Sequence, residues 1–194
     1  MTDRKTLYEA LSYAAWACVF QYFNINFGRL NILPAFAAYA LFLKAIGLLQ
    51  EERRDLGLLR PLGVLLLCWN LAEWLAALLG TSLNGGPAPV QILGLVVGVS
   101  GLYFHFQLFT DFAALAAARQ ETALEQRLLF WRKWQVIFHT ATLLLLYLPM
   151  PEWDWWDAVI TVMAAITMIM GLGCMMALFA LRRVFAPDEQ PEEE

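Results

Sequence analysis

The stretch VQILGLVVGVSGLYFHFQLFTDFAALAAA, residues 90–118, decides the fold class, and its one charged side chain is Asp111. A helix crossing a hydrocarbon layer of about 30 Å needs roughly 20 apolar residues, and this segment exceeds that length. Within it Gly94, Gly98, Gly101 and His105 recur at helical spacing and share a face. Gly94 and Gly98 form a GxxxG match, which lets helices approach closely in lipid. His105 is therefore expected at the end of a packing groove, away from lipid. A second stripe, Ser100, Tyr103, Gln107 and Asp111, predicts two non-lipid faces and a central place in a bundle.

Five further apolar segments flank this one: about Leu7–Phe27, Leu30–Leu49, Pro61–Gly80, Trp131–Leu148 and Trp155–Leu181. The first carries Glu9, Gln21 and Asn24, so an interfacial helix is the competing reading for it. The composition agrees with a membrane protein. The chain has 194 residues, 60% hydrophobic and 15% charged, against roughly 25% charged in soluble domains. That excludes a disordered chain, a soluble disulfide scaffold and a nucleic-acid binder. Cys18, Cys68 and Cys174 lie in separate segments at no metal-ligand spacing, and read as small apolar residues. Met1 to Arg4 does not lead into a cleavable leader, so the first segment is expected to remain.

The basic residues give the topology. With the N-terminus inside, the inner segments hold Arg4, Lys5, Arg53, Arg54, Arg60, Arg119, Arg127, Arg132, Lys133, Arg182 and Arg183. The outer loops hold only Arg29. This bias fits the positive-inside rule. It predicts an all-α, polytopic membrane helical bundle of about six transmembrane helices, in the plasma membrane with both termini cytoplasmic. Residues 1–186 form a single transmembrane helical domain. The net charge of −4 arises largely in residues 187–194, an acidic tail expected to be solvated and disordered. Asn84-Gly85-Gly86-Pro87 marks a turn. Trp153, Trp155 and Trp156 mark an interface, and Asp157 begins the last helix.

Polar residues inside these segments are the candidate site. The stripes are Tyr13, Ala17, Gln21 and Asn24; Ala37, Ala40, Lys44 and Gly47; Asn70, Glu73 and Ala77; Gln135, His139 and Thr142; and Thr161, Ala164, Met168 and Gly171. At about 1.5 Å per residue, Lys44, His105 and His139 fall in one layer of the inner half. Asn70 and Glu73 lie above it, and Asp111 sits at the inner edge. Ionisable groups at such depth are costly and raise a functional reading by default. Against it stand snorkelling for Lys44, a protonated acid bonded to Asn70 for Glu73, and hydrogen-bonded packing for the histidines. His105 and His139 are also weak metal-ligand candidates, which would need Glu73 or Asp111 to complete a site. No HExxH, nucleophile elbow, Walker loop, dinucleotide fingerprint or haem motif occurs. That weighs against an enzyme and leaves any cofactor unspecified.

Asn24-Ile25-Asn26-Phe27-Gly28-Arg29-Leu30-Asn31-Ile32-Leu33-Pro34 reads as an asparagine-rich turn, with Arg29 either fixing it or binding an anion. The stretch resembles a motif in small multispanning membrane proteins of Gram-positive bacteria, where such a turn precedes a Leu-Pro helix start. The resemblance implies a multispanning helical fold and carries no functional residue across. In size and span count the chain is also similar to substrate-binding subunits of bacterial vitamin transporters, by analogy alone. The leading expectation is a protein that binds or translocates a small solute or ion through a polar cavity opening toward the cytoplasmic half. Glu73, His105 and His139 would make the contacts there, and Lys44 or Arg29 would attract anionic groups. The alternative is a non-catalytic accessory subunit whose stripes glue helices together, to a membrane-protein partner or to further copies of itself. A third reading is an intramembrane metal-dependent enzyme.

Overall fold

The computed structural model describes residues 4–23, 26–27, 30–31, 34–50, 54–83, 86–147 and 155–186. The fold is all-helical. Its long helices are α1 (Arg4–Tyr22), α2 (Ala35–Leu49), α4 (Arg60–Leu78), α5 (Ala88–Ala118), α6 (Thr122–Tyr147) and α7 (Trp156–Val184). A single turn, α3 (Arg54–Gly57), links α2 to α4. Between α1 and α2, Asn26–Phe27 (β1) pairs antiparallel with Leu30–Asn31 (β2), Asn26 opposite Asn31. Helix α2 therefore begins after Pro34, which supplies its cap with extended backbone, and not at Leu30. Its 15 residues rise about 22 Å at 1.5 Å each. Arg29 and the tail 187–194 lie outside the described residues, as do Asn84, Gly85 and Trp153.

Each long helix packs on its neighbour in the chain, and α7 closes on α1. Side-chain pairings show that every neighbouring pair is antiparallel. Along α1 and α2, Tyr13 meets Lys44 and Gln21 meets Tyr39. Leu43 meets Gly63 and Phe36 meets Trp74 between α2 and α4. Thr110 meets Arg132, and Gly98 meets Leu143, between α5 and α6. At the closure, Tyr8 lies beneath Arg182, Trp16 beside Phe179 and Tyr22 on Gly171. The six long helices thus form an up-and-down ring. All the described basic helix ends gather at one end of it, where Arg119 stacks over Phe185 and Arg182 over Tyr8.

Among the described residues, three helices are long and apolar enough to cross a membrane: Arg60–Leu78, Ala88–Ala118 and Thr161–Val184. Helix α1 buries Leu7, Ala10, Leu11, Ala14, Ala15, Ala17 and Cys18. Its alanines let α2 and α7 close on it from two sides. Ring interiors fill the centre: Phe42, Phe104, Phe109 and Phe112 are fully buried.

Several stripes face differently from their sequence reading. Helix α5 is one member of the ring and not its centre, because Ile92, Leu93, Val96 and Val99 are exposed and Tyr103 is 53% exposed. Its small-residue seam serves two partners: Gly98 takes Leu143 of α6, while Gly101 faces Leu66 of α4. In α2 the stripe of Ala40, Lys44 and Gly47 points outward, and the packing face is Ala38, Tyr39, Phe42, Ala45 and Ile46. Thr161 and Met168 of α7 are exposed as well. Small and weakly polar residues mark a tolerable outer face as readily as an inner one; only the neighbours decide.

Two helices end in the same way. Gly80 (φ 75°) follows α4, with the amides of Thr81 and Gly80 donating to Ala76 and Ala77 carbonyls at 2.9 and 3.1 Å. Gln120 (φ 63°) follows α5, with the amides of Glu121 and Gln120 donating to Ala116 and Ala117 at 3.1 and 2.9 Å. Both are Schellman ends, in which glycine carries the left-handed residue without steric cost. Gln120 carries it with a Cβ. Replacing Gln120→Gly is expected to raise stability by about 1 kcal/mol, read from unfolding in detergent. A neutral or destabilising result would mean that the turn holds Gln120 for another reason.

Candidate functional site

Inside the ring a cavity of about 260 Å³ is bounded by Gln21 and Tyr22 at the end of α1, His105 of α5, Gln135, Phe138, His139 and Thr142 of α6, and Thr167 and Met170 of α7. Its formation follows from local packing. Gly171 has no side chain, and a Cβ there would lie 2.3 Å from Cγ of Tyr22. The tyrosine ring therefore lies directly on the α7 backbone. Gly173 does the same for Trp131, whose indole carbons come within 2.3 Å of its virtual Cβ. These two contacts draw α1 and α6 against α7 and leave a gap one turn further along, where Thr167 and Met170 stand.

The polar atoms around the gap are specifically committed. Gln135 is buried; its Nε2 donates to the Tyr22 hydroxyl at 2.6 Å, and its Oε1 accepts from the Cys174 thiol at 3.9 Å. Gln21 is a side-chain partner of the Tyr39 hydroxyl, yet its Oε1 is buried with no hydrogen-bond partner. His105 is only 4% exposed. Tyr39, Phe42 and Phe104 present edges to its ring, at 6.0, 5.8 and 5.4 Å between centroids. Its Nδ1 lies 2.8 Å from the Gly101 carbonyl. A carbonyl only accepts, so Nδ1 carries the hydrogen, and in the neutral ring Nε2 is a lone pair. That Nε2 is buried and has no partner. His139, half-buried, directs its ring to the Gly98 backbone and shares with His105 both this cavity and a narrow adjoining cleft.

Of the ionisable residues marked in the sequence, His105 and His139 line the same cavity. Lys44, Glu73 and Asp111 do not line it, nor does Asn70, and Arg29 lies outside the described residues. Lys44 lies at a similar level, since its neighbours Leu43 and Phe42 pack on Gly63 and Phe104. Its ammonium, however, is on the outside, bonded to the Tyr13 hydroxyl and 4.0 Å from that ring's centroid. Tyr13 in turn donates to Glu9 at 3.1 Å. Asn70 donates to the Leu66 carbonyl of its own helix at 2.7 Å, and not to Glu73. Glu73 is half-buried beside Trp69 and does not line the cavity. Asp111 is 4% exposed, and Gln107 on the same helix donates to its two oxygens at 3.3 and 3.2 Å. Among the described residues no three His, Cys, Asp or Glu side chains converge as metal ligands, so a metal at His105 and His139 would need other donors.

The other polar residues at the cavity divide in two. Gln21, Gln135 and Thr142 stand on marked stripes. Tyr22 and Thr167 stand on none; the sole hint was Gly171, whose partner a sequence does not name. A second, shallower groove of about 570 Å³ runs between α5 and α6 near the basic end, bounded by apolar side chains together with Arg132 and Lys133. Arg132 donates from Nη1 to Thr110 at 2.8 Å and lies over Phe106. No protein-family model matches the chain, and no curated protein or solved structure matches it.

The joint at Tyr22 is open to direct measurement. Tyr22→Phe leaves the Gln135 amide without its acceptor, and is expected to cost about 1–3 kcal/mol. Gly171→Ala forces the ring off α7, and is expected to cost a similar amount, about 1–3 kcal/mol. In a Tyr22→Ala background the same Gly171→Ala change should cost little. Additive costs in that cycle, measured by unfolding in detergent, would rule out the contact as the source.

Proposed function

We propose that this is an integral membrane protein of six spans that binds or translocates a small solute or ion through the cavity at His105. The carrying observation is the cavity of about 260 Å³, around which polar side chains of four helices, Gln21, His105, Gln135, His139, Thr142 and Thr167, are gathered. Polar side chains inside a membrane are costly, and their gathering around one space points to a guest.

The span count rests on the ring. Helices α4, α5 and α7 are apolar and long enough to cross, and α1, α2 and α6 lie antiparallel beside them in the same layer. Helix α2 is the shortest of the six, with 15 residues. With lipid around the ring, the exposed apolar faces of α4 and the outer half of α5 need no other partner. The basic helix ends then face the cytoplasm in the plasma membrane, and both termini with them. Thr167 is the exposed side of the cavity, and it lies in the half of the bundle farther from the basic end.

The test is reach. In a Cys68→Ser background, Thr167→Cys in intact vesicles is expected to react with a small charged methanethiosulfonate much faster than the parent does. Loss of that reaction when the reagent is confined to the cytoplasmic side would fix the direction of access. Equal rates for Thr167→Cys and its parent from both sides would mean a dry interior. That result would remove the solute-binding reading in favour of an accessory subunit.

A further inference from the structure

The groove between α5 and α6 differs in character from the cavity, and its reading rests on the membrane placement just given. Its depth comes from α5. Residues 88–110 contain no Asp, Glu, Lys or Arg, and Asp111 is the first charge along the helix. From Ala88 to Thr110 the helix rises about 33 Å at 1.5 Å per residue, close to the roughly 30 Å of a hydrocarbon core. Thr110 therefore stands at the inner edge of that layer. Arg132 of α6 is at the same level, because its Nη1 donates to the Thr110 hydroxyl at 2.8 Å. An aromatic row runs along α6 here: Phe130 meets Trp134 edge-on, and Trp134 stacks on Phe138. Tryptophan prefers this interfacial depth.

The groove, of about 570 Å³, joins two kinds of surface at that level. Phe106, Val136 and Ile137 line it about one helical turn further into the hydrocarbon, while Arg132 and Lys133 stand at the edge. Among the described residues no carboxylate lines it. Lys133 is exposed, and Arg132 is held in place. The Thr110 hydroxyl gives its own hydrogen to the Phe106 carbonyl at 2.7 Å and accepts from Arg132. The Phe106 ring supports the guanidinium carbon at 4.6 Å. A guanidinium carries five N–H groups in a rigid fork that matches phosphate geometry, so fixing its plane orients the fork before any ligand arrives. We propose that this groove holds an anionic phospholipid of the inner leaflet. Its phosphate lies between Arg132 and Lys133, and its acyl chains run along Phe106, Val136 and Ile137. Basic pockets between membrane helices on the cytoplasmic side attract such headgroups. A zwitterionic lipid brings its own cation and gains less from the pair.

Lipid retention on the detergent-solubilised full chain is read by native mass spectrometry. The probes are dioleoylphosphatidylglycerol, dioleoylphosphatidylcholine and glycerol 3-phosphate. The phosphatidylglycerol is expected to bind more tightly than the other two. Lys133→Gln should weaken it roughly fivefold, the worth of one basic residue near a headgroup. Arg132→Gln should weaken it at least as much, and the exposed Lys133 keeps the test valid if that variant fails to fold. Arg127→Gln, exposed on the same helix and outside the groove, should leave retention unchanged. Equal retention of phosphatidylcholine would overturn the anionic class, and equal binding of glycerol 3-phosphate would overturn the lipid. Loss at Arg127→Gln as large as at Lys133→Gln would overturn the groove in favour of general surface charge. Phosphatidylglycerol that binds only after residues 187–194 are removed would give the groove to that acidic segment. Full retention in the folded Lys133→Gln and Arg132→Gln variants would also overturn the proposal. Any of these results beside a reactive Thr167→Cys removes this inference alone. Selective, groove-dependent retention beside an unreactive Thr167→Cys keeps it and removes the solute-binding reading.

Discussion

The close approach of α1 to α7 at Gly171 is the contact on which the rest depends. The Tyr22 ring sits on bare backbone there, and that seating closes the ring of helices. It also carries the Tyr22 hydroxyl to Gln135, so one glycine couples the closure of the fold to the wall of the cavity. The arrangement is inexpensive in lipid. Apolar side chains gain little by leaving hydrocarbon for a helix interface, so close packing over small residues and a few interhelical hydrogen bonds must supply the association. Gly63, Gly98 and Gly173 meet Leu43, Leu143 and Trp131 in the same manner.

Polar groups follow one rule throughout. Hydroxyls of Ser12, Ser100, Thr110, Thr142 and Thr167 each donate to the carbonyl one turn earlier, which lets their hydrogens be satisfied within one helix in an apolar layer. Against that background the buried atoms without partners stand out. They include Gln21 Oε1 and His105 Nε2, on side chains of different helices that line one cavity. Glu73 and Lys44 drew attention in the sequence because they carry charge, and each is accommodated locally, beside Trp69 and on Tyr13.

The charged end of the bundle works differently. Arg119, Arg132 and Arg182 each stack over an aromatic ring, of Phe185, Phe106 and Tyr8 respectively. A guanidinium can hold such a face while its edge still reaches water or headgroups. These contacts join α5 to α7, α5 to α6 and α7 to α1, so the basic residues also fasten the helix ends.

The sequence by itself determined the class of the protein: the apolar run of residues 90–118 and the one-sided placement of arginine and lysine are properties of composition and order along the chain. It also determined that His105 is buried and lies level with His139, because helical rise and antiparallel order fix depth without any knowledge of neighbours. The start of α2 was half legible; Pro34 was visible, but the β1–β2 pairing that delays the helix is a contact between residues. Which stripe faces inward was decided only by the tertiary structure. Ala40-Lys44 and Thr161-Met168 have the same period as stripes that pack, and in lipid small or mildly polar residues on an outer face incur little cost, so periodicity loses the power to tell inside from outside that it has in water. The cavity was out of reach for the same reason. It is a space left where Tyr22 and Trp131 are drawn onto α7, and a space between helices has no residue to announce it.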